Sequence, residues 1–181
     1  MSTTDRNEWI LLATNLTTRL SILPVGENSH LYFEINEPGS GELKIPLDSI
    51  AAGLITAGMF CECYYRGSSR GGFFVDNLKE VQVDASEAGG RWLSISGRGP
   101  LALLEDAIVW DDGTSSTTRE FTSVTKASIL ITLITEAKAR GALANLTYDF
   151  SASVDRVSAG WTGSEQSNLP VGTSLIDVAR Q

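Results

Sequence analysis

Few residues in this chain have the types and spacing for chemistry, and the most suggestive set is GRGPLA. There Gly97, Gly99 and Ala102 match the G-x-G-x-x-A pattern, in which a tight turn between strand and helix lets backbone N–H groups hold a pyrophosphate. Glu120 follows at about the distance expected of a ribose-binding acid. Two features oppose that reading. Pro100 removes an N–H donor where the helix would begin. The residues upstream read as strand after strand, with none of the crossover helices a parallel sheet requires. Gly97, Arg98, Gly99 and Pro100 are therefore expected to form a plain strand-to-helix turn, and no cofactor is expected.

A nucleophilic triad needs a base, and the only histidine, His30, falls on the predicted outward face of a strand. The acidic neighbours Glu105 with Asp106 and Asp111 with Asp112 point in different directions on any regular element, so neither pair converges as acid and base. Asp149 with Asp155 could serve a glycosidase-type site from separate positions, but nothing in the pattern favours it. Asp111-Asp112-Gly113 lacks the alternating ligands and closing Glu of a calcium loop, and no metal site is expected. Cys61 and Cys63 lie two apart in GMFCECYYR and share one face of a strand at about 6.6 Å, too straight a span for a disulfide, so free buried thiols are expected. The sequons at Asn15 and Asn145 carry little weight without a signal peptide. Trp110 and Trp161 flank polar, Gly-containing segments and are candidate interface or loop aromatics, with a sugar-binding surface as their alternative use.

Fourteen Lys and Arg against twenty-two Asp and Glu give a net charge of −8, which repels a phosphate backbone and disfavours direct nucleic-acid binding. No apolar run reaches the roughly 18–20 residues needed to span a bilayer, so no membrane insertion is expected.

Up to residue 97 the elements that must position these residues are strands. The segments are WILLAT, RLSIL, HLYFEI, ELKIPL, GMFCECYYR, GGFFVDN, LKEVQVDA and RWLSISG, separated by PVGENS, NEPGSG, RGSSRGG and ASEAGG. In HLYFEI, Leu31, Phe33 and Ile35 share the apolar face. LDSIAAGLITAG reads as a short helix or turn. From Pro100 the period changes, and Leu101, Leu104 and Ile108 predict a short amphipathic helix. A polar loop and one more strand follow. A longer helix then starts near Thr125, with Ile129, Leu130, Leu133, Ile134 and Ala137 as its buried stripe and Gly141 as its stop. SAGWTGSEQSNLP reads as irregular, and Thr173 or Ser174 caps a last helix that the sequence leaves short, which suggests that the protein continues past Gln181. The expected fold is α+β, mainly β: an antiparallel barrel or sandwich over 1–97, then a portion with two to three helices over 98–181.

Three blocks carry a family resemblance: Leu78 to Trp110, Ser128 to Gly141, and Thr147 to Gln181. From Gly58 onward the chain resembles the hub-type minor tail proteins of long-tailed phages that infect actinobacteria, similar in turn to baseplate hubs of contractile tails. The family pattern has a serine and glycine soon after the aspartate where this chain has Asp155-Arg156-Val157-Ser158. The resemblance implies tube-type β-domains, a ring formed by self-association as a trimer, and a place at the virion's tail tip. It also implies contacts with distal tail, tape-measure and tip proteins, and a lumen through which DNA passes without specific binding. It implies no enzyme. The alternatives are a carbohydrate-binding module for host cell-wall attachment and a cell-wall hydrolase using distant carboxylates.

Overall fold

The structure is a computed structural model that describes residues 7–26, 29–33, 37–82, 90–111, 113, 117–144, 146–148, 150–155, 157–163 and 165–180. Strand exceeds helix, 41% against 18%, so the fold is mainly β, as the alternating pattern predicts. By its internal contacts the chain divides into two compact units, Met1–Leu101 and Ala102–Gln181.

The first unit holds β1 (Asn7–Leu12), β2 (Arg19–Leu23), β3 (His30–Tyr32), β4 (Ser40–Pro46), β5 (Phe60–Tyr65), β6 (Ser68–Phe74), β7 (Asn77–Gln82) and β8 (Arg91–Arg98). They form two antiparallel four-stranded sheets, ordered β2-β1-β5-β6 and β3-β4-β8-β7. Period-two patterning decides which faces meet. β4 buries Gly41, Leu43 and Ile45 and turns Glu42 and Lys44 outward, while β5 buries Cys61 and Cys63 on one side. Trp9, Leu11, Leu23 and Phe73 from the first sheet join Leu43, Ile45, Leu93 and Ile95 from the second in one core. Burial of side chains this size contributes about 1.5–3 kcal/mol each. The arrangement is that of a sandwich, and among the described residues the sheets do not close into a barrel. The chain passes from sheet to sheet without a loop: Val75 donates its N–H to Met59 O, continuing β6, and Asp76 donates to Ser96 O, beginning β7.

Local readings of this unit change in two places. HLYFEI does not extend its strand past Tyr32; Phe33 is exposed instead of buried, while Glu34 to Asn36 lie outside the described residues. RGSSRGG is not one long turn. Arg66 and Gly67, with φ of 52° and 76°, make a two-residue hairpin turn and Ser68 already belongs to β6. LDSIAAGLITAG folds as turns with one short 3₁₀ segment, Ala52–Leu54.

The second unit contains α1 (Ala102–Asp106), β9 (Thr118–Val124), α2 (Lys126–Ala139), β10 (Glu165–Pro170) and α3 (Leu175–Arg180). β9 and β10 pair antiparallel. Their Phe121 and Leu169 pack with Ile129, Leu133, Ile134 and Ala137 of α2 and with Leu175 and Ile176 of α3. Thr125 caps α2 by accepting the Ser128 N–H, and at the other end Gly141 (φ 89°) and Ala142 donate to Lys138 O and Ala137 O. That closing pair is a Schellman motif, and it is why the helix stops where the glycine stands.

Two expectations fail in this unit. The helix after Pro100 is only five residues long, and Ile108 is extended and bridges Ser174. Val109 donates to Thr173 O, Leu175 to Ala107 O, and Gly172 to Val109 O, so strand-like pairing takes the backbone groups a longer helix would have used. EQSNLP, read as irregular, is a strand. Its polar residues give no alternating signal, and it is ordered by its ladder to β9 and by the buried Leu169.

Candidate interaction surfaces

The two glycines of the GRGPLA turn are required by backbone crowding. Gly97 pairs with Gly41 across β8 and β4. A Cβ on Gly97 would run into the Phe74 carbonyl and Asp76 N–H, one on Gly41 into the Phe73 ring, and one on Gly99 into the Pro38 carbonyl. Gly97 is thus required by the crossing of the β6–β7 connection over β8, and Gly99 by its close approach to the Pro38 carbonyl. Asp76, which no sequence signal singled out, accepts from Arg98 N–H at 2.9 Å and from Arg98 Nε at 3.0 Å, fixing the end of β8. Gly97 and Arg98 belong to the strand itself, and only Gly99, Pro100 and Leu101 lead on to α1.

Among the described residues, the catalytic candidates stand apart from one another. His30 Nε2 lies 4.0 Å from Glu42 on the open outer face of the second sheet. Asp155 accepts the N–H groups of Val157 and Ala159 at 2.9 and 2.8 Å, an Asx-type turn that occupies its carboxylate in loop geometry. Asp149, its proposed partner, lies outside the described residues, as do Asp112, Asn145 and Arg156. Glu105 is half-buried and Asp106 exposed on α1. Among the described residues, no group of three or more His, Cys, Asp and Glu side chains is placed to hold a metal ion, and no helix is long and apolar enough to cross a membrane. Cys61 and Cys63 are both free and buried. Burial pushes the Cys61 thiol up to about 12, and burial also raises that of Cys63, against the opposing charge of Arg70.

The two tryptophans have separate surroundings. Trp110 is half-exposed, with the Arg140 guanidinium 5.5 Å from its ring centre. Trp161 donates its indole N–H to Ser151 O at 2.9 Å and meets Phe150 edge-on at 6.2 Å, with Tyr148 beyond. It borders a groove of about 370 Å³ lined also by Lys126, Ile129, Leu130, Phe150 and Leu169. A second, wider furrow of about 540 Å³ runs over polar residues of the first unit, among them His30, Glu42, Asp76, Asn77 and Arg98.

The aromatic and basic side chains converge most at the tip of the β5–β6 hairpin. Arg66 and Arg70 lie over the Tyr65 ring at 5.2 and 5.5 Å. On the other face of β5, Arg19 lies over Tyr64 at 5.4 Å and donates to its hydroxyl at 3.0 Å. Glu62 accepts from Ser69 at 2.6 Å and from the Tyr64 hydroxyl at 3.0 Å, which ties the hairpin together below its tip.

No protein-family model matches the sequence, and no curated protein is found similar to it. Solved structures are similar. One is the 43 kDa tail protein of prophage MuSo2 from Shewanella oneidensis, with a TM-score of 0.59 at 16% identity over 97% of this chain and 49% of that one. Another is the tail protein from Neisseria meningitidis MC58, with a TM-score of 0.51 at 12% identity over 96% of this chain and 39% of that one. The chain thus spans about half the length of the first protein and less of the second, and what it shares with both is the fold.

Proposed function

We propose that this chain is a structural part of a phage tail and, within the tail, a module of the tip hub that joins the tube to the tip complex. The observation that carries this reading is the likeness to the MuSo2 tail protein, which runs through 97% of the chain and therefore through both compact units. Under this reading the chain does no chemistry, associates with copies of itself as a trimer around the tail axis, and touches distal tail, tape-measure and tip proteins. It resides in the virion at the tail tip. The net charge of −8 suits a wall past which DNA moves without sticking.

Immunogold labelling of purified particles tests it directly: gold at the tail tip is the expected result, and gold absent from tails overturns the reading. The two alternatives have their own signatures. Glycan binding lost on Trp161→Ala would favour a carbohydrate module. Wall-degrading activity lost on Asp155→Asn would establish a hydrolase.

A further inference from the structure

We propose that the free edge of β10 pairs antiparallel with the same edge of a second copy, so that two chains share one sheet ordered β9-β10-β10-β9. The pair is a state of the free chain, because a two-fold contact between single chains does not build a three-fold ring. It goes beyond the tail reading and does not rest on it.

The ladder fixes which backbone groups face that edge. Val171 donates its N–H to Thr117 O, one step beyond the pair of Pro170 with Thr118. Antiparallel pairs alternate between bonded and non-bonded, so Leu169 and Ser167 bond to β9, while the backbone groups of Pro170, Asn168 and Gln166 face away from it. Pro170 fits that assignment, since its missing N–H falls where β9 asks for none. Among the described residues nothing pairs with this edge, and Gln166, Asn168 and Pro170 are exposed.

A row of backbone donors and acceptors is answered by another extended strand. Of the strands of this chain that end a sheet, β10 suits self-pairing best. β3 has three residues, β2 skips Leu20 in its register and runs into Pro24, and β6 shifts register and lies at Gly71 against the Phe33 ring. In β7 and β9, pairing about the middle sets Lys79 against Lys79, Glu80 against Glu80 or Glu120 against Glu120, like charges in direct opposition. β10 from Gln166 to Pro170 has no charge and no register shift.

Register selects the occupant. Centred on Asn168, two copies place Asn168 opposite Asn168 as a bonded pair and Gln166 opposite Pro170. Each Asn168 N–H then meets the other copy's Asn168 carbonyl and each Gln166 N–H the other's Pro170 carbonyl, about four hydrogen bonds in all. The two Asn168 side chains stand side by side, where one amide can bond the other, and Ser167 faces Leu169 on the opposite side of the sheet. Two copies at −8 each repel one another. Because no charge lies in the contact, salt screens that repulsion without weakening the bonds.

Sedimentation velocity of the full chain over a range of concentrations, joined to hydrogen exchange of its backbone amides, tests the proposal. One strand edge is a small contact, so a weak dimer is expected, half-formed at roughly 10–500 µM. Exchange of the Gln166 and Asn168 N–H groups is expected to slow about threefold or more from dilute to concentrated chain. Raising salt from about 50 to about 500 mM is expected to strengthen the dimer about threefold or more. Asn168→Pro removes the outward N–H and spares the ladder to β9, and is expected to weaken the dimer about tenfold or more. Asn168→Lys sets like charges in opposition at the two-fold axis, with a similar loss expected, and it decides the matter if the proline variant does not fold. Asn77→Lys, the same change of charge at an exposed position on β7, is expected to leave the dimer within about twofold.

A chain monomeric up to about 1 mM, a trimer in place of a dimer, or a dimer whose Gln166 and Asn168 amides exchange at the monomer rate overturns the proposal. So does a dimer that weakens with salt, one unmoved by the Asn168 variants, or an equal loss in Asn77→Lys. Gold on tails together with any of these would leave the tail reading standing, and a dimer through β10 with gold absent from tails would do the reverse.

Discussion

Gly97 and Gly41 face each other across two strands, and each gives up its side chain to something that crosses above: backbone at Gly97, the Phe73 ring at Gly41. Backbone cannot rotate out of the way as a side chain can, so Gly97→Ala is expected to cost about 3 kcal/mol in urea unfolding. Gly53→Ala, where a Cβ meets nothing within 4 Å, is expected to change stability by under about 1 kcal/mol in the same measurement. Cys61 gives a pH signature. Its thiol ionises at about 12 in the fold against 9.0 ordinarily, so the folded state keeps a proton that the unfolded state loses first. This contribution is complete below pH 9.0 and is lost as pH rises towards about 12. The stability advantage of the natural chain over Cys61→Ala is therefore expected to narrow from pH 8 to pH 10.5, as read by urea midpoints. An advantage that holds constant over that range would show the thiol to be more accessible than its position implies.

At the scale of elements, α2 is the best-specified piece of the chain. Its ends are fixed by Thr125 and Gly141, and its apolar face meets β9, β10 and α3. Thr125→Ala removes the Ser128 N–H acceptor and a bond to Ala152 O, and is expected to destabilise by about 1 kcal/mol. Gly141→Ala places a Cβ at φ 89° and is expected to cost about 1 kcal/mol, read by thermal melting. Arg119 ties β9 to this helix, with its guanidinium 2.8 Å from Glu136 and 4.9 Å from the Phe121 ring centre. α3 relies on a smaller cap: the Ser174 hydroxyl bonds the Asp177 carboxylate at 2.6 Å and accepts its N–H at 3.3 Å. That hydroxyl, and then Arg180, hold the Asp177 carboxyl below its usual range. Helices this short need such contacts, because nucleation costs more than two turns return.

At the scale of the whole molecule, each compact unit has its own core, and no residue belongs to both. Residues 1–101 expressed alone are therefore expected to keep a β-type far-UV spectrum and a cooperative melt, and a spectrum of unfolded chain would refute their independence. The sequence by itself determined most of the strands from Trp9 to Arg98, the long helix with its cap and stop, the buried thiols and the mainly β class, because each is written in local periodicity and end signals. Only the tertiary structure decided that the sheets face each other as a sandwich, that Ile108 is extended and that EQSNLP is a strand. It also showed why Gly41, Gly97 and Gly99 must be glycine and that Arg19, Arg66 and Arg70 gather on two tyrosines. The physical reason is common to the sheets, Ile108, EQSNLP, the glycines and the Arg19–Tyr64 pair: ladder pairing, close backbone crossing and ring stacking there join residues far apart in the chain, and periodicity carries information only between neighbours.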